Sequence, residues 1–428
     1  MEYYRIKYFK KKEYILRCVT LLKELRRGLD TKIPERRLNE TLIFGSWNIR
    51  EFDCNSKKFG PRKEDDFVYI AEIISRFDVL AIQEINDDLA PLQKVMRMLG
   101  DEYEYILTDV AAWKSGGNNE RLGFIYDKRT VKFNGVAGEL VLPQNMLIRN
   151  NDGVIERQFA RTPFKCSFQA GWFKFKVTTV HIYYGKDSEK SNHFKRRVEE
   201  IDKVAKLISE NAEKEGTKKD PSTKWFNPYN YFIVGDFNIV NENNVTYDAL
   251  AKYGFETIKN RKGSNKDRTK FYDQISYYKT SNLDFDWKDS NRSTGRDHNN
   301  TDRIFNFFNY IYTEEQFPLF KTDVVNYITR NKAAFKDDIE KLKIKIEGIE
   351  AELALDTISK TRRKRIERQL EKAKETQTYT KNLVALKTEE LTDFYLNSPW
   401  NTFQVSDHLP LWAEINIDKS DEYLDNSF

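Results

Sequence analysis

Strand-length apolar runs that end on ionisable or amide side chains constrain this chain more than any other feature. Val177-Thr178-Thr179-Val180 runs into His181, and Phe232-Ile233-Val234-Gly235 runs into Asp236-Phe237-Asn238. Val405-Ser406-Asp407-His408 leads directly into an apolar strand from Leu409. Runs of the same length recur, so that strands are expected at 41–46, 78–83, 122–126, 175–181, 231–235, 275–278 and 409–417. Between several of them apolar residues fall at helical spacing, as from Asp65 to Ser75 and at Val198, Ile201, Ala205 and Ile208. Strands mixed with amphipathic helices, some strands in hairpin-like pairs, predict an α/β or α+β fold.

The ends and one internal stretch have a different character. Ile15, Leu16, Val19, Leu22 and Leu25 predict a helix over about 12–29, and Pro34 stops the pattern. Residues 1–37 hold 12 Lys or Arg against 5 Asp or Glu, while the whole chain carries only +5, so residues 1–40 read as a basic helical arm. From 331 to 390, Ile339, Leu342, Ile346, Ile349 and Leu353 step by three and four, and Ile366, Leu370 and Ala373 resume after a break near 356–359. That spacing predicts an antiparallel coiled-coil hairpin. Its second helix is basic around Arg362-Arg363-Lys364-Arg365. The hairpin interrupts the α/β body: a first part over 41–330, then 391–418 with the final strand, then a loose tail over 419–428. No run of about 18 apolar residues exists to cross a membrane, and no secretory signal is visible. The three cysteines, Cys18, Cys54 and Cys166, make no disulfide framework, and a cytoplasmic protein is expected.

Histidines and carboxylates gathered at strand ends suit metal-assisted hydrolysis of a phosphate ester. Such chemistry needs a cation to neutralise developing charge, a base for water and donors for the phosphate oxygens. Mg²⁺ takes oxygen ligands and keeps several waters, so one or two carboxylates suffice. Glu84, ending Val79-Leu80-Ala81-Ile82-Gln83, is placed for this, and Asn48, ending Phe44-Gly45-Ser46-Trp47, is placed to support it. Alone, each is equally a polar residue capping a strand. His193 and His298 lack such surroundings and read as surface residues.

In order, Trp47-Asn48-Ile49-Arg50, Gln83-Glu84-Ile85, Glu120-Arg121, Arg161-Thr162-Pro163, Val180-His181, Gly235-Asp236-Phe237-Asn238, Tyr272-Asp273-Gln274-Ile275 and Ser406-Asp407-His408 resemble the motif series of the endonuclease/exonuclease/phosphatase superfamily. Within it the chain looks most like the deoxyribonuclease I branch, over about 41–280 and 400–417. The resemblance implies a four-layer α/β sandwich, two central and mainly antiparallel sheets flanked by helices, with the coiled-coil hairpin inserted. It implies Mg²⁺ (or Mn²⁺) on Glu84 with Asn48 and Asp407 close by. His181 and His408 would flank the scissile phosphate, with Glu120 partnering His181 and Asp273 partnering His408. Asp236 and Asn238 would orient the nucleophile and phosphate, and Arg50 and Arg161 would hold phosphates. The sequence departs from that branch at Asn86 and at Asn118-Asn119, where the nuclease carries groove-binding arginine and tyrosine, so the same duplex grip is not expected. Abasic-site endonucleases and inositol-phosphate phosphatases fit the motifs less well, and secreted sphingomyelinases would need an export signal.

Three functions follow for comparison. The first is a divalent-metal-dependent nuclease of low sequence specificity, acting on DNA ahead of RNA. The second is a phosphatase or phosphodiesterase for a small phosphorylated molecule or lipid headgroup. The third is an inactive scaffold working through its hairpin, against which stands the presence of a competent residue at every position the chemistry needs. The hairpin is expected to dock a protein partner or a second copy; the competing expectation is that it and the basic arm grip phosphates.

Overall fold

The computed structural model describes residues 1–52, 61–111, 119–149, 155–216, 229–241, 245–278, 302–355, 359–385, 387–397, 399–418, 420 and 424–425. They divide into two compact units, Met1–Ile311 with Thr402–Phe428, and Tyr312–Asn401. The first unit begins with helix α1 (Lys12–Lys32), strand β1 (Thr41–Phe52), α2 (Glu64–Ile74), β2 (Val79–Ile85), α3 (Ala90–Leu99), β3 (Tyr103–Leu107) and β4 (Arg121–Asp127). It continues with β5 (Lys132–Glu139), β6 (Ile148–Arg149), β7 (Ile155–Arg157), β8 (Phe164–Ala170), β9 (Phe173–His181) and α4 (Asn192–Gly216). Then come β10 (Tyr229–Asp236), α5 (Val245–Ala251), β11 (Phe255–Thr257) and β12 (Asp273–Tyr278). The second unit holds α6 (Lys321–Leu353), α7 (Lys360–Ala385) and α8 (Thr388–Asn397). The chain returns through α9 (Pro399–Gln404) to β13 (Leu411–Asn416).

Two sheets face each other. One has the order β13-β1-β2-β4-β3, the other β11-β12-β10-β9-β8-β5, and β6 and β7 form a separate ribbon. Each large sheet is antiparallel except for one central pair: β1 with β2, and β9 with β10. β1 and β2 are buried nearly throughout, as unalternating apolar strands must be. Between the sheets Phe44 packs on Phe175 and Phe232 (ring centroids 6.4 and 5.5 Å), and Phe124 on Phe168 (5.6 Å). These are edge-on and tilted contacts, the arrangements aromatic quadrupoles favour.

Helices close both outer faces. α2 is buried on nearly every side, with Phe67, Val68, Ile70 and Ile74 among its buried residues. α1 lies on α2 through Leu21, Leu22, Leu25 and Leu29, with a buried Arg17–Asp65 ion pair at 2.7 Å. On the other side α4 packs Ile201, Val204, Ala205 and Ile208 against Val180, Ile182 and Ile233. This is the α/β four-layer sandwich. Gly235 sits at φ +130°, where a Cβ would lie 2.1 Å from the Val180 carbonyl oxygen, so the β9–β10 pair closes this tightly only with glycine there.

In the second unit α6 and α7 run antiparallel, with Lys374–Glu350 at 2.6 Å and Arg362–Glu352 at 2.8 Å. Ile346, Ile366 and Ala373 are buried in their seam. α6 begins at Lys321, ahead of the heptad pattern, because Val324, Tyr327 and Ile328 are also buried. Lys364 and Arg365 have side chains outside the described residues, as do Cys54, Asn118 and His298. Cys18 and Cys166 are buried free thiols. No helix is long and apolar enough to cross a membrane among the described residues.

Candidate active site

The two parallel strand pairs bring their carboxyl ends to one edge of the sandwich. Asn48 comes from β1, Glu84 from β2, His181 from β9 and Asp236 from β10, while Asp273 opens β12 and His408 precedes β13. The sheets are pinned together just behind this edge, where Gln83 Nε2 donates to Thr179 Oγ1 at 2.9 Å. Asn48 Nδ2 crosses the same gap, donating to Glu84 Oε1 (3.0 Å) and to Asp236 Oδ2 (3.1 Å). β1 bulges between Asn48 and Phe52, and Glu51 and Glu84 both take left-handed φ values, 40° and 62°. That bend lets the Glu51 amide donate to Glu84 Oε2 at 2.8 Å, so both carboxylate oxygens are held.

Two imidazoles converge on one oxygen. Asp236 Oδ2 lies 3.5 Å from His181 Nε2 and 3.9 Å from His408 Nε2. Its other oxygen accepts the Asn238 backbone N–H at 2.8 Å, the turn expected of an Asp-x-Asn sequence. Each ring meets a separate carboxylate on its far side: His181 Nδ1 is 3.2 Å from Glu120 Oε2, and His408 Nδ1 is 2.8 Å from Asp273 Oδ2. Arg161 also bonds Glu120 Oε2. Burial pushes the Glu120 carboxyl up, but His181 and Arg161 together hold it down at about 2. Burial likewise opposes a protonated His408, yet the charge and hydrogen bond of Asp273, with Asp236 and Asp407 behind it, keep its pKa well above the ordinary imidazole value.

The donors present fit a hard divalent cation. Because both partners of Asn48 Nδ2 are carboxylates, the amide orientation is settled, and Oδ1 is left buried with no hydrogen-bond partner. An unpaired buried carbonyl oxygen on a residue bonded to two carboxylates is a donor such an ion would satisfy. Burial and the nearby Glu120 push the Glu84 carboxyl up, a penalty a bound cation would offset. Asp236, Asp273 and His408 form a second possible divalent site, three donor atoms within 4.8 Å of one another. There Asp273 Oδ2 already accepts from Ser264 Oγ (2.6 Å) as well as meeting His408, although its Oδ1 is buried and unpartnered.

The remaining expected residues lie around this centre. Arg50 donates to Thr402 Oγ1 at 2.7 Å and sits 3.9 Å from Asp407, whose side chain is 40% exposed. Arg161 is buried against Glu120. Asn238 turns its amide to the Ile182 carbonyl oxygen (2.7 Å) at φ 54°. His193 stacks on Tyr183, with its Nδ1 2.6 Å from the tyrosine hydroxyl. Sequence reasoning gave no role to three groups that set the geometry. Ser406 Oγ donates to the Asn48 carbonyl oxygen (2.7 Å) and accepts from the His408 and Arg50 amides. Ser264 fixes Asp273. Tyr272 stacks on the His408 ring, 5.5 Å between centroids at 29°.

No family model and no curated protein matches the chain. Among solved structures it is similar to an endonuclease/exonuclease/phosphatase family protein from Bacteroides thetaiotaomicron, at 18% identity over 55% of this chain and 80% of that one, TM-score 0.38. A mannosyl-6-phosphatase from the same organism matches at 18% over 56% and 86%, TM-score 0.38. The human Nocturnin catalytic domain with bound sulfate matches at 13% over 57% and 85%, TM-score 0.38. A likeness of this degree carries no argument about chemistry, which rests on the residues themselves.

Proposed function

We propose that this protein is a divalent-metal-dependent phosphodiester hydrolase, and that its substrate is nucleic acid cut with low sequence preference. The reading rests on the pair of histidines that meet at Asp236 Oδ2 while each leans on its own carboxylate, Glu120 or Asp273. His408, hydrogen-bonded to Asp273, has its tautomer fixed and its charged form stabilised. His408, held protonated, donates to a phosphate oxygen or to the departing oxygen. Asp236, an acceptor between the two rings, orients the attacking water, and His181 with Glu120 manages its proton. A divalent cation on Glu84 and Asn48 supplies charge neutralisation at the phosphate when bound. Arg50, partly exposed beside Asp407, holds a phosphate oxygen. The sequence resemblance to the deoxyribonuclease I branch supports the polymer substrate.

The test is cleavage of supercoiled plasmid, single-stranded DNA and RNA with Mg²⁺, with and without EDTA, beside His181→Ala and His408→Ala. EDTA-sensitive cutting that falls by about 10²–10⁴ in each variant is expected for loss of a general acid or base. Near-wild-type turnover in both variants removes the mechanism. Turnover confined to small phosphate esters replaces the polymer by a small phosphorylated substrate.

A further inference from the structure

We infer that the segment 259–270, between β11 and β12, is a preorganised grip for the phosphate backbone of a nucleic-acid strand, extending contact beyond the scissile group. The inference rests on the reading of the site as a nucleic-acid hydrolase and names the part of the surface that recognises a polymer. The segment reads Lys259-Asn260-Arg261-Lys262-Gly263-Ser264-Asn265-Lys266-Asp267-Arg268-Thr269-Lys270, six cations against one acid.

It is built as a rigid knot. Asn265 Oδ1 accepts the amides of Thr269 (2.8 Å) and Lys270 (2.7 Å), and Arg268 Nε donates to the Gly263 carbonyl oxygen (2.8 Å). The backbone closes on itself through Gly263 N to Arg268 O (3.0 Å) and Ser264 N to Lys270 O (2.7 Å). A Cβ at Gly263 would lie 2.3 Å from Lys270 backbone atoms, so the crossing needs glycine. The knot is also fastened to the reacting residues: Lys266 N donates to Asp407 O (2.8 Å), Leu409 N to Ser264 O (2.7 Å), and Asn265 bridges His408. A loop backbone fixed in this way has little further ordering to lose when its side chains meet a ligand.

Four of its six cations are uncommitted, whereas the arginines in and just after α1 are paired and only lysines there, Lys12, Lys23 and Lys32, are exposed without an ion pair among the described residues. Lys259, Arg261 and Lys262 are exposed and Lys270 half-buried, and none of the four forms an ion pair among the described residues. In and just after α1, Arg17 is bound to Asp65, Arg26 to Glu72, Arg27 to Glu24 and Arg36 to Asp78 and Asp127. Several uncommitted charges beside one hydrolytic centre suit a ligand with repeated phosphates; one small ester would be satisfied at the centre itself. The segment shows no exposed apolar side chain to enter a bilayer: Ile258 is buried and Phe271 partly buried. Membrane surfaces are commonly held by both kinds of group, so a nucleic acid is the better fit.

The test uses the full chain and fluorescein-labelled oligonucleotides, single-stranded and duplex, in EDTA so that no cutting occurs. Binding is followed by anisotropy from 50 to 200 mM salt. The variant Lys259→Gln/Arg261→Gln/Lys262→Gln/Lys270→Gln is expected to flatten the slope of log affinity against log salt by about 3, at ~0.7–0.9 per phosphate contact. Lys262→Glu alone, which spares the knot, is expected to reduce affinity in the same direction. Turnover of bis(4-nitrophenyl) phosphate, too small to reach the loop, should be unchanged in both. A slope unchanged in the fourfold variant overturns the inference. So does an equal flattening in a control with four exposed N-terminal cations replaced (Lys10→Gln/Lys12→Gln/Lys23→Gln/Lys32→Gln), or an equal loss of binding to phosphatidylserine vesicles. Failure of the wild type to hydrolyse any ester removes the hydrolase reading, while the salt slope still decides on the grip.

Discussion

Asp273→Asn tests the dyad with the least disturbance, because asparagine has the same shape and keeps an oxygen for Ser264. In the native site the two ions lie 2.8 Å apart and both are buried. At an effective dielectric near 20 such a pair attracts by about 6 kcal/mol gross. Burying both charges offsets part of that, and breaking one partner of a buried pair typically costs about 3–5 kcal/mol. If the imidazolium is the form that meets the phosphate in the transition state, that loss falls on the rate, about 10²–10⁴ in kcat at roughly 1.4 kcal/mol per decade. The amide can also turn its NH₂ toward Nδ1, which moves the ring proton to Nε2 and inverts the donor–acceptor order. Single-turnover cleavage of a labelled oligonucleotide reads the chemical step free of product release. A thermal melt alongside shows whether the fold survives. The sign of the pH effect follows from the raised His408 pKa: activity requiring the protonated ring is present at low pH and lost as pH rises through the folded value. Removing Asp273 lowers that value, so the alkaline limb of the profile moves toward acid. Wild-type kcat with an unmoved alkaline limb, in a folded variant, would refute the reasoning.

Two further outcomes are expected. Glu84→Gln keeps the shape but removes the charge that Asn48 Nδ2 meets, so calorimetric titration with Mn²⁺ should show affinity lowered by more than about tenfold; an unchanged affinity moves the metal elsewhere. Arg36→Met should destabilise the first unit by about 3–5 kcal/mol at pH 7, because Arg36 bonds the buried Asp78 and Asp127 at once. Against burial, Arg129 and Arg36 hold the Asp127 carboxyl at about 2, below its ordinary 3.8. Its contribution is therefore complete above about pH 4 and fades as pH falls toward 2, so urea denaturation should show the wild-type advantage shrinking over that interval. An advantage equal at pH 7 and pH 3 excludes this linkage.

The central strands were legible in the sequence because both their faces are buried. β1, β2, β4 and β10 each hold long unbroken buried stretches, so apolar residues run on with little alternation, and the edge strand β13 is buried in the same way. β3 and β5 lie at sheet edges with mostly exposed or half-exposed residues, and β5 contains Gly135 and Gly138, so neither makes a run. β8, Phe-Lys-Cys-Ser-Phe-Gln-Ala, pairs on both sides but mixes polar with apolar residues. In the site, the strand-end positions of Asn48, Glu84, His181 and Asp236 could be read locally. The approach of Asp273 to His408, 135 positions away, could be expected only from the motif resemblance. Ser264 and Ser406 left no signal: a serine in a polar loop looks the same whether it faces water or fixes a carboxylate. The cluster at 259–270 was masked differently, since excess acid elsewhere cancels it in the net charge.

The pairing of β1 with β13, which joins Thr41 to Asn416, governs the order in which the protein becomes competent. Every other strand of the first sheet lies before residue 128, but that sheet keeps an open edge at β1 until the chain has passed through the helical unit and returned. His408 arrives on the same returning segment. Asn48, Glu84, His181 and Asp236 therefore all precede the second imidazole in the chain, and the full set exists only once the returning segment has joined the sheet. The same delay leaves a long unpaired strand exposed, a surface on which incomplete chains can associate.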